Sequence, residues 1–148
     1  MTTKERNAHK AAIARMCAAA NTHDLQVVSD VIDEVVDPDV RYDMPLPVDA
    51  TGAEAFTRLW ATLLTAFPDL RLTIEEMVAE GDTVVARNLV RGTHRGRHLG
   101  LSGTGTLLTW QEIFVFRFEG GRVVHVSGVV DLFGQLRQLG LLPAPSRA

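Results

Sequence analysis

The N-terminal part of the chain distributes its apolar residues with the period of an α-helix. One apolar stripe, in an alanine-rich stretch, consists of Ile13, Met16, Cys17 and Ala20. A second stripe consists of Leu25, Val28, Ile32 and Val35. Residues 21–24 are polar and separate the two stripes, and Asp24 is suited to cap the second one. The pattern predicts two consecutive helices.

A short strand is predicted after the second helix. Pro38 cannot continue a helix, so we expect the helix to end there. Beyond it, Val40, Tyr42 and Met44 alternate with polar residues, which is the pattern of a half-buried strand. Residues 45–52 are then expected to form a connection.

A third helix is predicted to begin near residue 51. Thr51 followed by Glu54 has the spacing of a capping box, and "FPD" ends the helix. Its apolar face would consist of Phe56, Trp60, Leu63 and Phe67.

From Leu70 onward the period changes to two, which indicates β-strands. The runs "LRLTIEEMVA" and "TVVARNLVRGTH" flank the hairpin signal "EGD", and "EGG" joins "LLTWQEIFVFRF" to the last run, "VVHVSGVVDLFGQLRQLG". The order is therefore helix, helix, strand, helix, four long strands and a short closing helix. This order predicts one α+β domain over residues 1–148, with a curved, mostly antiparallel sheet wrapped around the N-terminal helices.

The last predicted strand contains an unusual position. Five valines favour a strand at residues 123–130, yet its centre is Ser127 and Gly128. Glycine inside a strand weakens it and often marks a bulge or the close approach of a ligand. Gly128 therefore either has no functional meaning or is an emptied position, that is, a place in a pocket where a side chain is missing and a ligand has room.

Composition and charge exclude several classes of protein. The net charge is −3 and no basic stripe with interleaved aromatic residues occurs, which argues against nucleic-acid binding. Cys17 is the single cysteine, so no internal disulfide forms, as fits a reducing cytoplasm. No signal peptide and no apolar stretch of membrane-spanning length is recognised. We expect a cytoplasmic protein without a membrane partner.

Several segments resemble a known family. They are "FPDL", "EGDTVV", "GTHRG", "GGRVV" and "QLRQLG". With them the chain resembles, over nearly its whole length, the SnoaL-like polyketide cyclases of the nuclear-transport-factor-2-like superfamily. The resemblance implies a cone-shaped α+β barrel. It does not by itself fix the reaction, because one fold hosts many functions.

The resemblance also shows where this chain departs from the cyclase pattern. The family's cyclases close the last ring of aromatic polyketides by an intramolecular aldol reaction without metal or cofactor. Their acid/base aspartate falls on Gly128, the accompanying histidine on Phe114, a glutamine on Glu112 and an asparagine on Tyr42. The resemblance therefore implies the fold but not the aldol mechanism, and Gly128 is interpreted as an emptied position.

Glu112 is the leading candidate for acid/base chemistry. By period two, one face of its strand carries Trp110, Glu112, Phe114, Phe116 and Phe118. Desolvation among these rings would raise the pKa of the carboxyl toward neutrality, as general acid–base catalysis requires. The alternatives are that the face assignment is wrong by one residue, or that Glu112 pairs with an arginine.

Tyr42 and His94 are further catalytic candidates. The Tyr42 phenol could donate a hydrogen bond to a carbonyl or protonate a leaving alkoxide, or the ring could belong to the core. His94 is in phase with Asn88 and could line the mouth of the pocket, or its imidazole could bond nearby backbone. Trp60 is either a core residue or one wall of the cavity.

Asp131 and the histidine pair have simpler interpretations. Asp131 precedes the closing helix and is more consistent with an N-cap than with a catalytic carboxylate. His94 and His98 have helical metal-ligand spacing but lie in a glycine-rich segment that is not helical, so no metal site is predicted. The phosphate-binding glycine motifs are absent.

Our first functional hypothesis is a cofactor-free cyclase or isomerase acting on an apolar, polyketide-like substrate. Glu112 would be the acid/base and Tyr42 its hydrogen-bonding partner, and the substrate would contact Trp60, Asn88, Trp110, Phe114 and Gly128. Epoxide opening and assistance of a hydroxylation are variants of this hypothesis. The second hypothesis is a non-catalytic binding protein on the same fold.

A homodimer is expected as well. The face of the sheet that does not contact the helices would carry Val85, Leu89, Ile113 and Val115. That face is too apolar for open solvent.

Overall fold

The computed structural model describes residues 1–45 and 51–143. Its elements are α1 (Thr3–Ala20), α2 (Leu25–Val35), β1 (Val36–Asp43), α3 (Gly52–Ala66), β2 (Arg71–Glu80), β3 (Thr83–Thr93), β4 (Leu107–Glu119), β5 (Arg122–Val130) and α4 (Leu132–Gln138). The predicted order of elements is confirmed. Within the described ranges, no helix has the length and apolar character needed to cross a membrane.

One mixed sheet of five strands forms the framework, in the order β1-β5-β4-β3-β2. All neighbouring strands are antiparallel except β1 and β5, which are parallel. The register shifts between Ile74 and Glu76 and between Arg117 and Phe118. Such bulges increase the local twist, and they accompany the curvature of the sheet around the helices. The α+β prediction is confirmed.

The turn between α1 and α2 fixes the helices to the edge of the sheet. Asp24 caps α2 by accepting a hydrogen bond from the Gln26 backbone N–H at 2.9 Å. The Asn21 side chain makes two bonds with the Leu72 backbone, at 2.8 and 2.9 Å, in the manner of an additional strand. The polar segment therefore both ends α1 and attaches the helices to β2.

The β1 region differs from its prediction in two respects. The second helix ends at Val35, and Pro38, expected to close it, lies inside β1. The edge position of β1 explains why this is possible, because proline cannot donate to a central ladder. Met44, expected on the strand, follows its last residue.

Two details of the predicted helices were wrong. Leu25 was placed on the apolar face of α2, yet it is 39% exposed because it lies at the first turn. Thr51 is the N-cap of α3, but within the described residues its side chain makes no capping hydrogen bond. Of the connection predicted at 45–52, residues 46–50 lie outside the described residues.

Two apolar clusters form the core. The larger one packs α1 and α2 against the concave face of the sheet and includes Ile13, Ile32, Val84, Phe116 and Phe118. The smaller one surrounds Phe67 at the end of α3 and includes Leu70, Leu72, Val90, Leu108 and Trp110. Members of both clusters line one cavity, which therefore lies where they meet.

The caps of α2 and α3 provide a matched test of this architecture. Asp24→Ala removes a bonded cap and should lower the free energy of unfolding by about 1 kcal/mol. Thr51→Ala removes a side chain without a capping bond and should change it by much less. Urea denaturation of both variants measures the difference. Equal destabilisation by the two substitutions would contradict the cap assignment.

Candidate active site

The concave face of the sheet and α3 enclose an apolar cavity. The cavity faces alternate residues of β3, β4 and β5, as period two predicts. On β4 these are Trp110, Glu112, Phe114 and Phe116. Trp60 contributes from α3 and Asn88 from β3. The face assignment made from the sequence is therefore confirmed for β4.

Glu112 carries the carboxyl of this cavity. Its Oε1 accepts a hydrogen bond from Asn88 Nδ2 at 3.4 Å, and no ion pair to it occurs within residues 1–45 and 51–143. The neighbouring Arg87 points to the other face of the sheet, where it pairs with Glu75 at 3.1 Å. Among the arginines of the described residues, none therefore pairs with Glu112.

The environment of Glu112 changes its protonation. Burial among aromatic side chains raises the pKa of the carboxyl to about 7, from 4.5 for an exposed glutamate. The Asn88 amide and the nearby Trp110 indole N–H oppose this change only in part. At neutral pH both protonation states of Glu112 are therefore populated, which is the condition for general acid–base catalysis.

Two polar atoms beside Glu112 lack partners. Asn88 is 3% exposed and its Oδ1 has no hydrogen bond within the described residues. Trp110 is 5% exposed, and its Nε1 lies near enough to Glu112 to lower the pKa of that carboxyl but makes no hydrogen bond of normal geometry in that part of the chain. Buried polar groups are usually paired, and at a pocket wall their unpaired atoms are available to a ligand. The wall beside Glu112 thus offers one acceptor and one donor.

Gly128 corrects the interpretation of an emptied position. It lies in phase with Val126 and Val130, which line the cavity, so its predicted face is right. A Cβ on Gly128, however, would collide with the Phe114 ring and with the Ile113 carbonyl oxygen. Phe114 and Gly128 are direct cross-strand partners. The space at Gly128 is therefore filled by Phe114 and does not admit a substrate.

Tyr42 is not among the residues that line the cavity. Its ring packs against Phe56 at 5.7 Å, and its hydroxyl donates a hydrogen bond to the Gly52 carbonyl oxygen. Burial raises the pKa of the phenol. These contacts favour the core interpretation of Tyr42, which connects β1 to the start of α3. Val40, on the same face of β1, is also a core residue.

His98 lines the cavity, whereas His94, the histidine that was expected at its mouth, does not. His94 is fully buried and bonds Thr104 through Nδ1 at 3.0 Å. The Nε2 of His98 lies 2.7 Å from Gln135 Oε1. No sequence pattern signals this difference, because His98 lies in the glycine-rich segment between β3 and β4, where neither periodicity applies.

Asp131 is the N-cap of α4 and is exposed. Its side chain accepts a hydrogen bond from the Gly134 backbone N–H at 2.9 Å and does not line the cavity. This placement agrees with the capping interpretation. Within the described ranges, no three His, Cys, Asp or Glu side chains are placed to hold a metal ion.

Besides His98, the prediction missed two cavity residues with polar or ionisable side chains, Gln135 and Cys17. Gln135 belongs to α4, whose apolar composition suggested only a closing helix. Cys17 contributes from α1, and burial together with the Glu112 charge raises the pKa of its thiol to about 12, which makes it unreactive. One sequence signal could have identified Gln135: it lies four residues after the Asp131 cap, about one helical turn into α4.

An α+β fold in which helices and a curved sheet enclose an apolar pocket with one buried carboxyl is typical of proteins that bind or convert small molecules. Comparison with known proteins places the chain within that class. A model of the SnoaL-like polyketide cyclases matches residues 10–139. The chain belongs to this family, as the sequence motifs suggested.

Individual relatives agree with the family assignment. The aklanonic acid methyl ester cyclase AcmA of Streptomyces galilaeus is 32% identical over 135 residues, 88% of this chain and 89% of the relative. The nogalonic acid methyl ester cyclase of Streptomyces nogalater is 28% identical over 116 residues, 76% and 85% of the two chains. The crystal structure of AclR, a proposed hydroxylase from Streptomyces galilaeus, is 30% identical with a TM-score of 0.80, covering 96% of this chain and 91% of that one.

The raised pKa of Glu112 predicts a pH-dependent stability. Between pH 4.5 and about 7 the folded protein retains a proton on Glu112 that the unfolded chain has released, so rising pH favours unfolding. At about 1.4 kcal/mol per pH unit, this loss amounts to roughly 3 kcal/mol. The Glu112→Gln variant has no proton to release at this position and therefore does not lose this stability. Its free energy of unfolding should exceed that of the unmodified protein once the pH has risen through 7.

Urea denaturation at fixed protein concentration, below pH 4.5 and well above pH 7, measures this difference. Glu119→Gln, an exposed position at the end of the same strand, is the control and should show no such change. A Glu112→Gln effect that is equal at both pH values would mean that the carboxyl titrates normally in the folded protein.

Proposed function

We propose that this protein is a cofactor-free cyclase or isomerase of a polyketide-like small molecule in natural-product biosynthesis. One observation carries the proposal: the Glu112 carboxyl is buried in an apolar cavity, without a neutralising cation in the described part of the chain, and this burial raises its pKa to about 7. The relatives named as cyclases support the substrate class. The cytoplasmic location and the lack of a cofactor stay predictions.

The proposed reaction is an intramolecular aldol closure that does not use the family's aspartate and histidine: Glu112 acts in their place, first as a base and then as an acid. The carboxylate removes a proton from a carbon next to a substrate carbonyl, and the C–H electron pair becomes an enolate. The enolate carbon attacks a second carbonyl of the same molecule, which forms the ring C–C bond and an alkoxide. The protonated Glu112 then returns its proton to the alkoxide. The apolar walls exclude water and hold the chain in a folded conformation.

The partnerless atoms beside Glu112 support this sequence of steps. The Trp110 N–H can donate to the enolate or alkoxide oxygen, where negative charge develops. Asn88 Nδ2 bonds the Glu112 carboxyl, and its Oδ1 can accept from an enol or hydroxyl group. Asn88 would therefore orient the carboxyl relative to the substrate.

The usual aspartate and histidine pair of the cyclases is proposed to be absent. The family resemblance places this pair at Gly128 and Phe114, which are cross-strand partners here. A single carboxyl on β4 would then have to perform both proton transfers. This is the largest difference that the proposal makes between this protein and the cyclase pattern.

Two alternatives rest on specific observations. The likeness to AclR supports a variant in which the pocket assists a hydroxylation. The apolar pair Phe114 and Gly128 supports a binding protein that has lost catalysis. Epoxide opening is a further variant of the enzyme, in which the same Glu112 would act. Mass spectrometry of the ligand that co-purifies with the protein distinguishes a reactive substrate from a stored end product.

Glu112→Gln tests the proposal directly. The substitution preserves size and hydrogen bonding but removes the titrating proton, so turnover should fall by about 10²–10⁴-fold while binding changes little. Aklanonic acid methyl ester and nogalonic acid methyl ester, for which the relatives are named, are the first substrates to assay. In the unmodified protein, kcat/KM should rise as the pH passes through about 7.

Glu119→Gln again serves as the control and should retain full turnover. If Glu112→Gln also turns over a substrate at the unmodified rate, Glu112 is not the acid/base. If the unmodified protein binds but never converts these esters or its co-purified ligand, the binding-protein alternative replaces the enzyme.

The outer face of the sheet supports the second proposal, a homodimer. Its apolar side chains are neighbours across the strands, since Ile113 pairs with Val129 and Val85 lies between Val78 and Val115. Val129 is 64% exposed and Val78 is 53% exposed. A contiguous apolar patch of this kind is typical of an interface.

Val129→Lys should convert the dimer into a monomer, because a lysine desolvated within the patch is costly. Light scattering reports the change as a fall in mass toward the 16.2 kDa of one chain. Phe133→Lys, at a position on α4 that is 63% exposed, should leave the dimer intact. A monomeric unmodified protein at micromolar concentration would exclude the proposed dimer.

A further inference from the structure

The cavity contains a second pair of polar side chains, on elements that do not carry Glu112. His98 belongs to the segment between β3 and β4, where it forms a bridge with Leu101 through two backbone bonds of 2.9 Å. Gln135 belongs to α4. Both side chains line the cavity, and they bond each other at 2.7 Å.

The burial of Gln135 indicates that this pair has a role beyond packing. In α4, Gln135 is 1% exposed whereas Phe133 is 63% exposed. The hydrophobic effect alone would favour the reverse, because burying an amide costs free energy unless it is hydrogen-bonded. The bond to His98 offsets that cost. The helix is therefore docked in an orientation that directs an amide, rather than a phenyl ring, into the pocket.

The Gln135 bond defines the hydrogen-bonding character of His98. The amide oxygen accepts, so the imidazole Nε2 carries the hydrogen. Burial lowers the pKa of His98, and the nearby His94 acts in the same direction. The neutral ring then has a free lone pair on Nδ1, which has no hydrogen-bond partner within residues 1–45 and 51–143.

The ring is also held in place by packing. The edge of Phe67 meets the His98 ring at 5.0 Å between centroids, nearly perpendicular. Phe67 is fully buried in the smaller core cluster. His98 is therefore fixed by one hydrogen bond and one aromatic contact, as a residue that recognises a ligand must be.

We propose that His98 Nδ1 accepts a hydrogen bond from a hydroxyl group of the ligand, and that Gln135 is the residue that positions it. This inference rests on the proposed function for the kind of donor, since polyketide-like molecules carry phenols and enols. The ligand thus has a hydroxyl group that Glu112 does not transform, and His98 determines specificity for it.

The test measures selectivity between two probes of nearly equal size, 2-naphthol and 2-methylnaphthalene. Isothermal titration calorimetry gives both dissociation constants. A hydrogen bond to His98 should make the unmodified protein prefer the naphthol by roughly two- to tenfold. His98→Phe should abolish this preference while 2-methylnaphthalene still binds.

Gln135→Met tests the positioning role. It keeps the volume of the side chain but releases Nε2, so the naphthol preference should fall while the affinity for 2-methylnaphthalene stays. A merely structural role of Gln135 would weaken both probes equally and would overturn the positioning assignment. His125→Phe, on the opposite phase of β5, is the control and should keep the preference.

The variants also separate this proposal from the role of Glu112. A preference that survives in His98→Phe but disappears in Glu112→Gln would mean that the hydroxyl bonds Glu112, and would overturn the inference. If the larger ring in His98→Phe prevents both probes from binding, His98→Ala is used instead. Loss of the naphthol preference in His98→Ala supports the role of His98, and retention of the preference overturns it. If the unmodified protein binds neither probe, the apolar ligand pocket itself is contradicted, and the role of His98 with it.

Discussion

The structure of the pocket depends on one electrostatic constraint: the Glu112 carboxyl is buried, and no cation of residues 1–45 and 51–143 pairs with it. An ionised carboxylate in an apolar site is costly, so the group responds by keeping its proton to a higher pH. Asn88 supplies a weak bond of 3.4 Å, which is not sufficient to restore a normal pKa. Arg87, the residue before Asn88 on β3, could neutralise the charge, but its side chain lies on the other face of the sheet and pairs with Glu75. Strand alternation thus keeps the carboxyl reactive.

The contact between Phe114 and Gly128 explains how the pocket tolerates its departure from the cyclase pattern. The two residues face each other across β4 and β5, and the ring occupies the volume that any side chain at 128 would need. The Ile113 carbonyl oxygen lies equally close to that position, so both the backbone of β4 and the Phe114 ring require a glycine at 128. The apolar Phe114 ring also closes the wall next to Glu112, which increases the desolvation on which the carboxyl depends.

Regular periodicity made most of the framework and part of the site predictable. Asn88 and Glu112 follow from period two, because a strand fixes the direction of each side chain relative to its neighbours. Tyr42 follows the same rule, yet its hydroxyl is satisfied by Gly52, a partner ten residues away that no pattern reveals. His98 lies in a glycine-rich segment folded against the end of α3, where Gly96 approaches the Thr65 carbonyl too closely for a side chain. Such tertiary contacts have no local signature.

The closing helix shows how exposed residues can shape a buried site. Asp131 caps α4, and its own N–H bonds the Gln111 carbonyl of β4 at 3.1 Å. Gln138 bonds both the N–H and the carbonyl of Thr109, at 2.9 and 2.7 Å. These contacts hold both ends of the helix along β4. Gln135 lies between them, and in this orientation of the helix its side chain points into the cavity. Asp131 therefore contributes to the pocket through the position of the helix and not through its carboxylate, which is why a capping residue and a ligand-binding residue occur four positions apart.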